Sequence, residues 1–203
     1  TTVGMLGEIL RCAGVKVEEV GNIGTPITRA IDSDAEVFAV ELSSFQLHTA
    51  RTVSPLASMC LNVDADHLDW HGSVEAYAAD KARVYENTVK ACVYPASDRT
   101  VEAMVENAAR QAVALAHVSD LSGAYGPHPS AAALSDALAA AALARAYGVE
   151  PEAVEAGLRS FRPAGHRRAV IAHVADLTWV DDSKATNAHA ARASLAGLPP
   201  RSA

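Results

Sequence analysis

The chain has 203 residues, carries a formal net charge of −7, and is 50% hydrophobic and 20% charged. This composition is typical of a packed globular protein and excludes a disordered chain. The negative charge argues against general binding to nucleic acid, although a few basic side chains and backbone N–H groups can still hold a phosphate. The length allows one α/β domain and part of a second. Because alanine supplies much of the apolar fraction, we expect a helix-rich core of small side chains.

The cysteines and the ends of the sequence bear on the location of the protein. Cys12, Cys60 and Cys92 lie far apart in apolar surroundings, without the spacing of metal ligands. Such thiols are typical of reduced, buried cysteines in a cytoplasmic protein. A membrane span and a signal peptide are not expected, because no apolar run reaches about 18 residues and the first residues lack a basic start. Both ends look like cuts within a longer protein, since Thr1 begins in mid-helix without a cap.

The predicted elements alternate between strand and helix along most of the chain. In chain order we predict strands at 15–20, 37–40 (the apolar run VFAV), 57–63 and 89–95, and helices at 3–13, 73–88, 101–116, 135–148 and 151–161. Shorter features complete the pattern: a glycine-containing turn at 21–26, a loop at 119–130, one or two strands from Ala169, and a helix from about Asn187. This alternation predicts an α/β fold with a parallel sheet and right-handed crossovers.

The first candidate site segment is ELSSFQL, residues 41–47, directly after a buried strand. Ligands of parallel sheets gather at the carboxyl ends of the strands, so Glu41 and the hydroxyls that follow could ligate Mg²⁺ and orient a polar substrate. The alternative is purely local: Ser43 or Ser44 caps the next helix, and Glu41 lies in solvent. From this segment alone the two interpretations are about equally favoured.

The second candidate segment is LNVDADHLDWHGS, residues 61–73, at the end of the following strand. A single histidine in such a loop would usually have a structural role. This loop instead contains a cluster of carboxylate and imidazole side chains: Asp64, Asp66, His67, Asp69 and His71. Lys81 follows within the helix that Ser73 is predicted to cap. Without further context, Lys81 would be interpreted as a solvated helix lysine.

Taken together and in order, these motifs resemble the central domain of the Mur ligases. The matching segments are GNIGTP, ELSSFQL, LNVDADHLDWHGSVEAYAADKARVYENT and VDDSKATN, and the resemblance covers residues 1–95 and 135–197. ELSSFQL resembles the D-glutamate-adding members of the family in particular. The resemblance implies a parallel-sheet, ATPase-like central domain over residues 1–164 and the beginning of a Rossmann-like C-terminal domain over residues 165–203.

The resemblance also implies a phosphate-binding loop immediately before the first residue. In the family this loop, Gly-x-x-Gly-Lys-Thr/Ser, supplies backbone N–H groups and a lysine for the phosphates of ATP. Thr1 matches a position just beyond the loop's magnesium-binding hydroxyl, and we assign it to the nucleotide site. We therefore expect residues 1–203 alone to be inactive and to bind Mg-ATP weakly or not at all.

The activity that the resemblance implies is ATP-dependent amide bond formation in peptidoglycan precursor synthesis. UDP-N-acetylmuramoyl-L-alanine would be activated as an acyl phosphate and would then receive D-glutamate. The protein is expected to be a monomer in the cytoplasm, with neither nucleic acid nor membrane as a partner. ELSSFQL argues against a folylpolyglutamate-type ligase, and a non-catalytic Mur-like domain remains a third interpretation.

Site residues are carried over by position from the resemblance. Glu41 and His67 would bind Mg²⁺ together with Lys81, which would be carbamylated by CO₂ and so become an anionic ligand. Carbamylation needs a neutral amine, which burial or a nearby metal ion favours. The residues implied to contact the muramoyl-alanine part of the substrate are Asn22, Ser43 and Gln46.

The remaining assignments lie in the last quarter of the chain. Arg167 would contact the ATP phosphates and act in catalysis, and Asp182 would hold the nucleotide ribose. Lys184 and Thr186 would face the incoming D-glutamate; the alternative for this segment is a helix-capping turn with a local ion pair.

Two positions depart from the family pattern of adenine recognition. Pro129 stands where an amide side chain is expected, and Asp136 stands roughly where an asparagine would bind adenine. A carboxylate cannot donate a hydrogen bond to an adenine nitrogen at neutral pH. The stretch 95–128 is also shorter than the resemblance implies and lacks a clear β-hairpin.

Overall fold

The computed structural model describes residues 1–96, 98–108, 112–114, 131–163, 165–167, 169–186 and 188–195. The helices in these residues are α1 (Thr2–Cys12), α2 (Ile27–Ala30), α3 (Ser44–Thr49), α4 (Leu68–His71), α5 (Val74–Ala82), α6 (Arg99–Ala108), α7 (Ala131–Tyr147), α8 (Pro151–Ser160) and α9 (Ala188–Leu195). The strands are β1 (Val17–Gly21), β2 (Val37–Glu41), β3 (Ala57–Met59), β4 (Ala91–Tyr94), β5 (Ala112–Ala114), β6 (Ala169–Val174) and β7 (Leu177–Asp181).

The parallel α/β architecture predicted from the sequence is confirmed. β1 and β2 pair in parallel, in a register that joins Val17 to Val37 and Gly21 to Glu41. β3, β4 and β5 form a second parallel group in that order. β6 and β7 form a separate antiparallel hairpin, which settles the open choice between one and two strands after Ala169. No helix in the described ranges is long and apolar enough to cross a membrane.

Three element boundaries differ from the predictions. The helix predicted over 101–116 is wrong in its second half: α6 ends at Ala108, and Ala112–Ala114 form β5. The run Ala112–Ala114 is too short to show the periodicity of a helix or a strand, and it forms a strand because it pairs with β4. The predicted strand 57–63 and helix 73–88 are also longer than β3 and α5, respectively. The loop predicted at 119–130, including Pro129, and Asn187 lie outside the described residues.

One hydrophobic core joins α1, α7 and α8 and confirms the expected use of small side chains. Its buried residues are Met5, Ile9, Leu10, Ala137, Ala140, Ala141, Ala144, Val149, Val154 and Leu158. Four alanines on α7 leave room for neighbouring helices to approach closely. At the crossing of α8 with α1, a Cβ atom on Gly157 would lie 2.4 Å from the Cα atom of Ile9. The glycine therefore sets the distance between these two helices.

A second core surrounds Tyr85, whose side chain is completely enclosed (residue 1% exposed). The Tyr85 hydroxyl donates to the Val93 carbonyl at 2.8 Å and accepts from the Cys60 backbone N–H at 2.8 Å. It thereby links the ends of β3 and β4. Cys60 and Cys92 are buried free thiols, as expected, whereas the expectation is wrong for Cys12, which is exposed on α1.

Tyr85→Phe is expected to lower the free energy of unfolding by about 2 kcal/mol, because a buried N–H and a buried carbonyl lose their partner together. Urea denaturation measures the change. Tyr147→Phe provides the control, since the Tyr147 side chain is exposed and its replacement should be nearly neutral. Equal stability of the Tyr85→Phe variant and the wild type would contradict the bridging role.

Tyr85 also predicts a pH dependence of stability. Burial raises the pKa of Tyr85 above its ordinary value. Its contribution is therefore complete below the pKa of an unfolded tyrosine and is lost as pH rises above it, because the unfolded chain ionises first. We expect the stability advantage of the wild type over Tyr85→Phe to shrink from about pH 9 to about pH 11 in urea titrations. A constant difference across that range would contradict the prediction.

Candidate active site

A cleft of about 830 Å³ opens between the β1–β2 pair and the β3–β4–β5 group. Residues of β2 and of β3 both line it, together with the start of α1 and part of α7. Its wall is apolar along the strands, and Phe38 and Val40 of β2 are 38% and 39% exposed. Polar side chains collect where β2 and β3 end, which is the edge at which parallel sheets bind ligands.

The structure brings seven of the predicted site residues to this cleft: Thr1, Asn22, Glu41, Ser43, His67, Lys81 and Arg167. They come from six separate parts of the sequence. Four predicted residues do not line it: Gln46, Asp182, Lys184 and Thr186.

Glu41, the last residue of β2, is fixed by the GNIGTP segment beside it. The Asn22 backbone N–H donates to the Glu41 carbonyl at 2.7 Å, and the Asn22 amide donates to the Glu41 carboxylate at 3.4 Å. Gly21 has φ +110°, and a Cβ atom there would lie 2.1 Å from the Glu41 carbonyl oxygen. Only glycine fits this position. The carboxylate is thus held at the cleft rather than left in solvent.

The alternative interpretation of ELSSFQL, in which a serine caps the next helix, is confirmed for Ser43. The Ser43 hydroxyl accepts from the Gln46 backbone N–H at 3.2 Å, and the Gln46 side-chain oxygen accepts from the Ser43 N–H at 2.8 Å. This reciprocal capping box begins α3. Gln46 therefore uses its amide oxygen to cap α3 and is not among the residues that line the cleft, whereas Ser43 both caps the helix and lines the cleft.

His67 and Lys81 both lie near the ring of Tyr77. The His67 ring centroid is 6.3 Å from that of Tyr77, and Lys81 Nζ lies 5.1 Å from the same ring centroid. His67 has φ 52°, and its backbone N–H donates to the Asp66 carboxylate at 2.9 Å. Lys81 is partly buried, so it is not a fully solvated helix lysine.

The donor set at the cleft is compatible with Mg²⁺ in its chemistry. No group of three or more His, Cys, Asp or Glu side chains in the described part of the chain is arranged to hold a metal ion. The predicted set contains only two residues of these types, Glu41 and His67, with Lys81 as the third. A carbamate on Lys81 would add a hard oxygen donor to the Glu41 carboxylate, which is what Mg²⁺ prefers.

Asp136 and Arg167 lie at the end of the cleft where α1 begins. Asp136 accepts a hydrogen bond from the Thr2 hydroxyl. Burial raises the pKa of Asp136, while the Thr2 hydrogen bond and the positive charge of Arg167 act in the opposite direction. The structure thus places Arg167, far along the sequence, beside the first residues of α1.

Asp136→Asn is expected to raise the Tm at pH 7. Because burial raises the carboxyl pKa, the contribution of Asp136 is complete below the pKa of an unfolded aspartate and is lost as pH rises. An asparagine oxygen can still accept from Thr2 without carrying a buried charge. Thermal unfolding at several pH values measures the difference, which should vanish in acid, where both side chains are neutral. A lower Tm of the variant at pH 7 would contradict the prediction.

The segment that follows β7 forms a local turn whose residues are not among those that line the cleft. The Asp181 carboxylate accepts from the Ser183 backbone N–H at 3.0 Å and from its hydroxyl at 2.8 Å. These bonds and the contact with His166 Nδ1, at 2.6 Å, hold the pKa of Asp181 below its ordinary value. The turn of the alternative interpretation is thus present and is centred on Asp181. The neighbouring predicted residues Lys184 and Thr186 are exposed.

Sequence reasoning missed two residues close to the cleft, His48 and Asp80. The Asp80 carboxylate is buried and lies 2.9 Å from His48 Nδ1. A signal was present, because Asp80 falls three residues after Tyr77, on the buried face of α5. A charged residue at a buried helical position indicates a paired group.

Comparison with known proteins identifies the family. The Mur ligase middle domain matches residues 1–138. The chain is 43% identical to the UDP-N-acetylmuramoylalanine–D-glutamate ligase of Streptomyces avermitilis, over 97% of this chain and 49% of that protein. It is 42% identical to the ligase of the same name from Mycolicibacterium smegmatis, over 96% of this chain and 44% of that protein. The chain thus spans about half the length of the curated relatives it matches.

Solved structures agree at the level of the fold. MurF from Acinetobacter baumannii superposes with a TM-score of 0.75 at 19% identity, over 97% of this chain and 51% of that one. FolC from E. coli, in complex with DHPP and ADP, superposes with a TM-score of 0.66 at 17% identity, over 99% and 63%. The family profile, the curated relatives and the order of the cleft motifs lead to one conclusion: this chain belongs to the Mur ligase family.

Proposed function

We propose that the protein carrying this chain is an ATP-dependent ligase that joins D-glutamate to UDP-N-acetylmuramoyl-L-alanine. One observation carries the proposal: the segments GNIGTP, ELSSFQL and DHLD, together with Lys81 and Arg167, converge on a single cleft. Relatives about 43% identical over nearly the whole chain are named as ligases of D-glutamate and UDP-N-acetylmuramoylalanine, which supports this substrate pair.

The reaction proceeds through an activated carboxylate. The alanine carboxylate attacks the γ-phosphorus of ATP, the bond to the β-phosphate breaks, and an acyl phosphate and ADP form. The amine of D-glutamate then attacks the acyl carbon, loses a proton, and displaces inorganic phosphate. The first step brings two anions together, so the site must supply positive charge. A bound Mg²⁺ would supply it and hold both anions in place.

The residues of this chain have separate tasks in that scheme. Glu41 and His67 would hold the metal ion, and a carbamylated Lys81 would complete the set. Arg167 would place a guanidinium against the phosphates, where its fixed charge and several N–H groups suit phosphate oxygens. Asn22 and Ser43 would contact the muramoyl-alanine part, because both line the cleft beside Glu41.

The proposal also divides the chain into two domains. Residues 1–164 form the central ATP-binding domain, and residues 165–203 begin the C-terminal domain. The match to the middle domain over residues 1–138 and the separate β6–β7 hairpin support this division. Asp182, Lys184 and Thr186 then belong to the second domain and would reach the nucleotide and D-glutamate only when that domain closes over the cleft. We expect the protein to act as a monomer in the cytoplasm.

An oxygen-18 transfer experiment tests the reaction type. The completed protein, in which segments of the Streptomyces avermitilis relative extend this chain at both ends, receives ATP, D-glutamate and substrate with an ¹⁸O-labelled alanine carboxylate. We expect one labelled oxygen in inorganic phosphate per amide bond, because the attacking oxygen leaves with the phosphoryl group. Amide formation with unlabelled phosphate, or with label in AMP, would contradict the acyl-phosphate route.

A further inference from the structure

A chain of hydrogen bonds runs from α3 to α5 through a fully buried imidazole. His71 has a side chain that is 0% exposed. Its Nδ1 atom lies 3.0 Å from the Asp80 carboxylate, and its Nε2 atom lies 3.0 Å from the Ser44 hydroxyl. The Phe45 ring stacks on the imidazole, with 5.5 Å between centroids, and the Tyr77 ring meets it at 5.1 Å. The imidazole is thus held by hydrogen bonds at both ring nitrogens and by contacts with two aromatic rings.

Asp80 is the anchor of this chain. Its carboxylate also faces His48 Nδ1 at 2.9 Å and Arg83 Nε at 3.4 Å, so three donors from three segments converge on one buried group. A carboxylate of this kind only accepts hydrogen bonds, so the contacting nitrogen Nδ1 of His71 must carry a proton. When Nε2 carries none, it accepts from the Ser44 hydroxyl.

The two ends of the chain adjoin residues of the candidate active site. Ser44 follows Ser43, which lines the cleft and caps α3. Asp80 precedes Lys81, which also lines the cleft. The hydrogen bonds therefore fix the first turn of α3 relative to the helix that carries Lys81.

We propose that Asp80 and His71 are positioning residues for the substrate edge of the cleft. Asp80 orients His71, and His71 holds Ser44, so that Ser43 is presented at a fixed place beside Glu41. This role rests on the proposed ligase function. Ser44 itself lies in the wall of the cleft but is only 5% exposed, and its hydroxyl is engaged by His71.

Kinetics of the completed protein test the role of the Ser44–His71 bond. The side-chain amide of asparagine can still donate a hydrogen bond to Asp80, as His71 Nδ1 does, but it cannot reach Ser44. We expect both His71→Asn and Ser44→Ala to raise KM for UDP-N-acetylmuramoyl-L-alanine about tenfold. The turnover number kcat should change by less than about twofold, because the lost interaction orients bound substrate and not the reacting atoms.

The double variant gives the sharper result. If both residues act through one bond, His71→Asn combined with Ser44→Ala should be no worse than either single change. His48→Asn is the matched control, because it makes the same histidine-to-asparagine change at another partner of the same carboxylate and does not touch Ser44. Multiplied effects in the double variant, an unchanged KM in the single variants, or a KM rise in His48→Asn equal to theirs would overturn the proposal. Labelling of Ser44 by a fluorophosphonate would overturn it too, because Ser44 would then be a nucleophile.

A spectroscopic measurement on the 203-residue chain separates this proposal from the proposed function. Long-range ¹H–¹⁵N correlation of labelled histidines at pH about 8 reports which ring nitrogen is protonated when imidazoles are otherwise neutral. We expect a proton on Nδ1 of His71 in the wild type and in His48→Asn, and its loss from Nδ1 in Asp80→Ala, which removes the acceptor. A wild-type His71 without a proton on Nδ1 would overturn the positioning chain. Absence of ligation by the wild-type completed protein would instead overturn the proposed function and leave this readout standing.

Discussion

Lys81→Arg is expected to reduce ligation by the completed protein by at least about a hundredfold. A guanidinium stays protonated at all working pH values, so it cannot react with CO₂ to give the anionic ligand that the site needs. Lys81→Ala should be equally inactive. Acetate, which can place a carboxylate in the vacated space, should restore part of the activity of the alanine variant and none of the activity of the arginine variant. Product formation followed by chromatography measures all of these outcomes.

Lys90→Arg is the control for this experiment, because Lys90 is exposed just before β4 and lies outside the cleft lining. It should keep the activity of the wild type. If Lys81 were only a surface lysine of its helix, Lys81→Arg would also keep the activity of the wild type. Turnover by Lys81→Arg at the level of Lys90→Arg would therefore end the carbamate proposal.

Gly157→Ala is expected to lower the free energy of unfolding by about 2 to 3 kcal/mol. The added Cβ atom would lie 2.4 Å from Cα and 2.8 Å from N of Ile9, and both of these are backbone atoms of α1. They cannot rotate away as the end of a side chain could, so α1 and α8 must move apart. The better helix propensity of alanine offsets about 1 kcal/mol of this cost.

Urea denaturation compares this variant with Gly165→Ala, where an added Cβ atom meets nothing within 4 Å. The Gly165 variant should unfold within about 0.5 kcal/mol of the wild type, as surface substitutions do. If Gly157→Ala proved as stable as Gly165→Ala, the close packing of α1 on α8 would not be set by this glycine.

The sequence was informative where a local pattern and the tertiary structure agree. VFAV predicted β2 because an apolar run followed by polar residues has one good solution in a parallel sheet, and Ser73 predicted the start of α5 because its side chain caps that helix. β5 was missed since three residues of alanine and valine carry no period, and only pairing with β4 makes them a strand.

The candidate site was predictable in part for the same reason. Glu41 and His67 follow strands directly, so strand ends locate them. Arg167 reaches the cleft only through the packing of distant segments, and Asp136, at the same end of the cleft, was identified from the family pattern alone. The pairing of His71 with Asp80 depends on how α3, α4 and α5 meet, which no local spacing encodes.

The central claim is the identity of the two substrates, and one assay tests it directly. The completed protein is incubated with ATP, Mg²⁺ and UDP-N-acetylmuramoyl-L-alanine, with D-glutamate in one reaction and L-glutamate in another. The products are separated by chromatography and identified by their masses. We predict an amide product, with equal amounts of ADP and inorganic phosphate, in the reaction with D-glutamate and not in the reaction with L-glutamate. No product with D-glutamate, or an equal yield of amide with L-glutamate, would contradict the account.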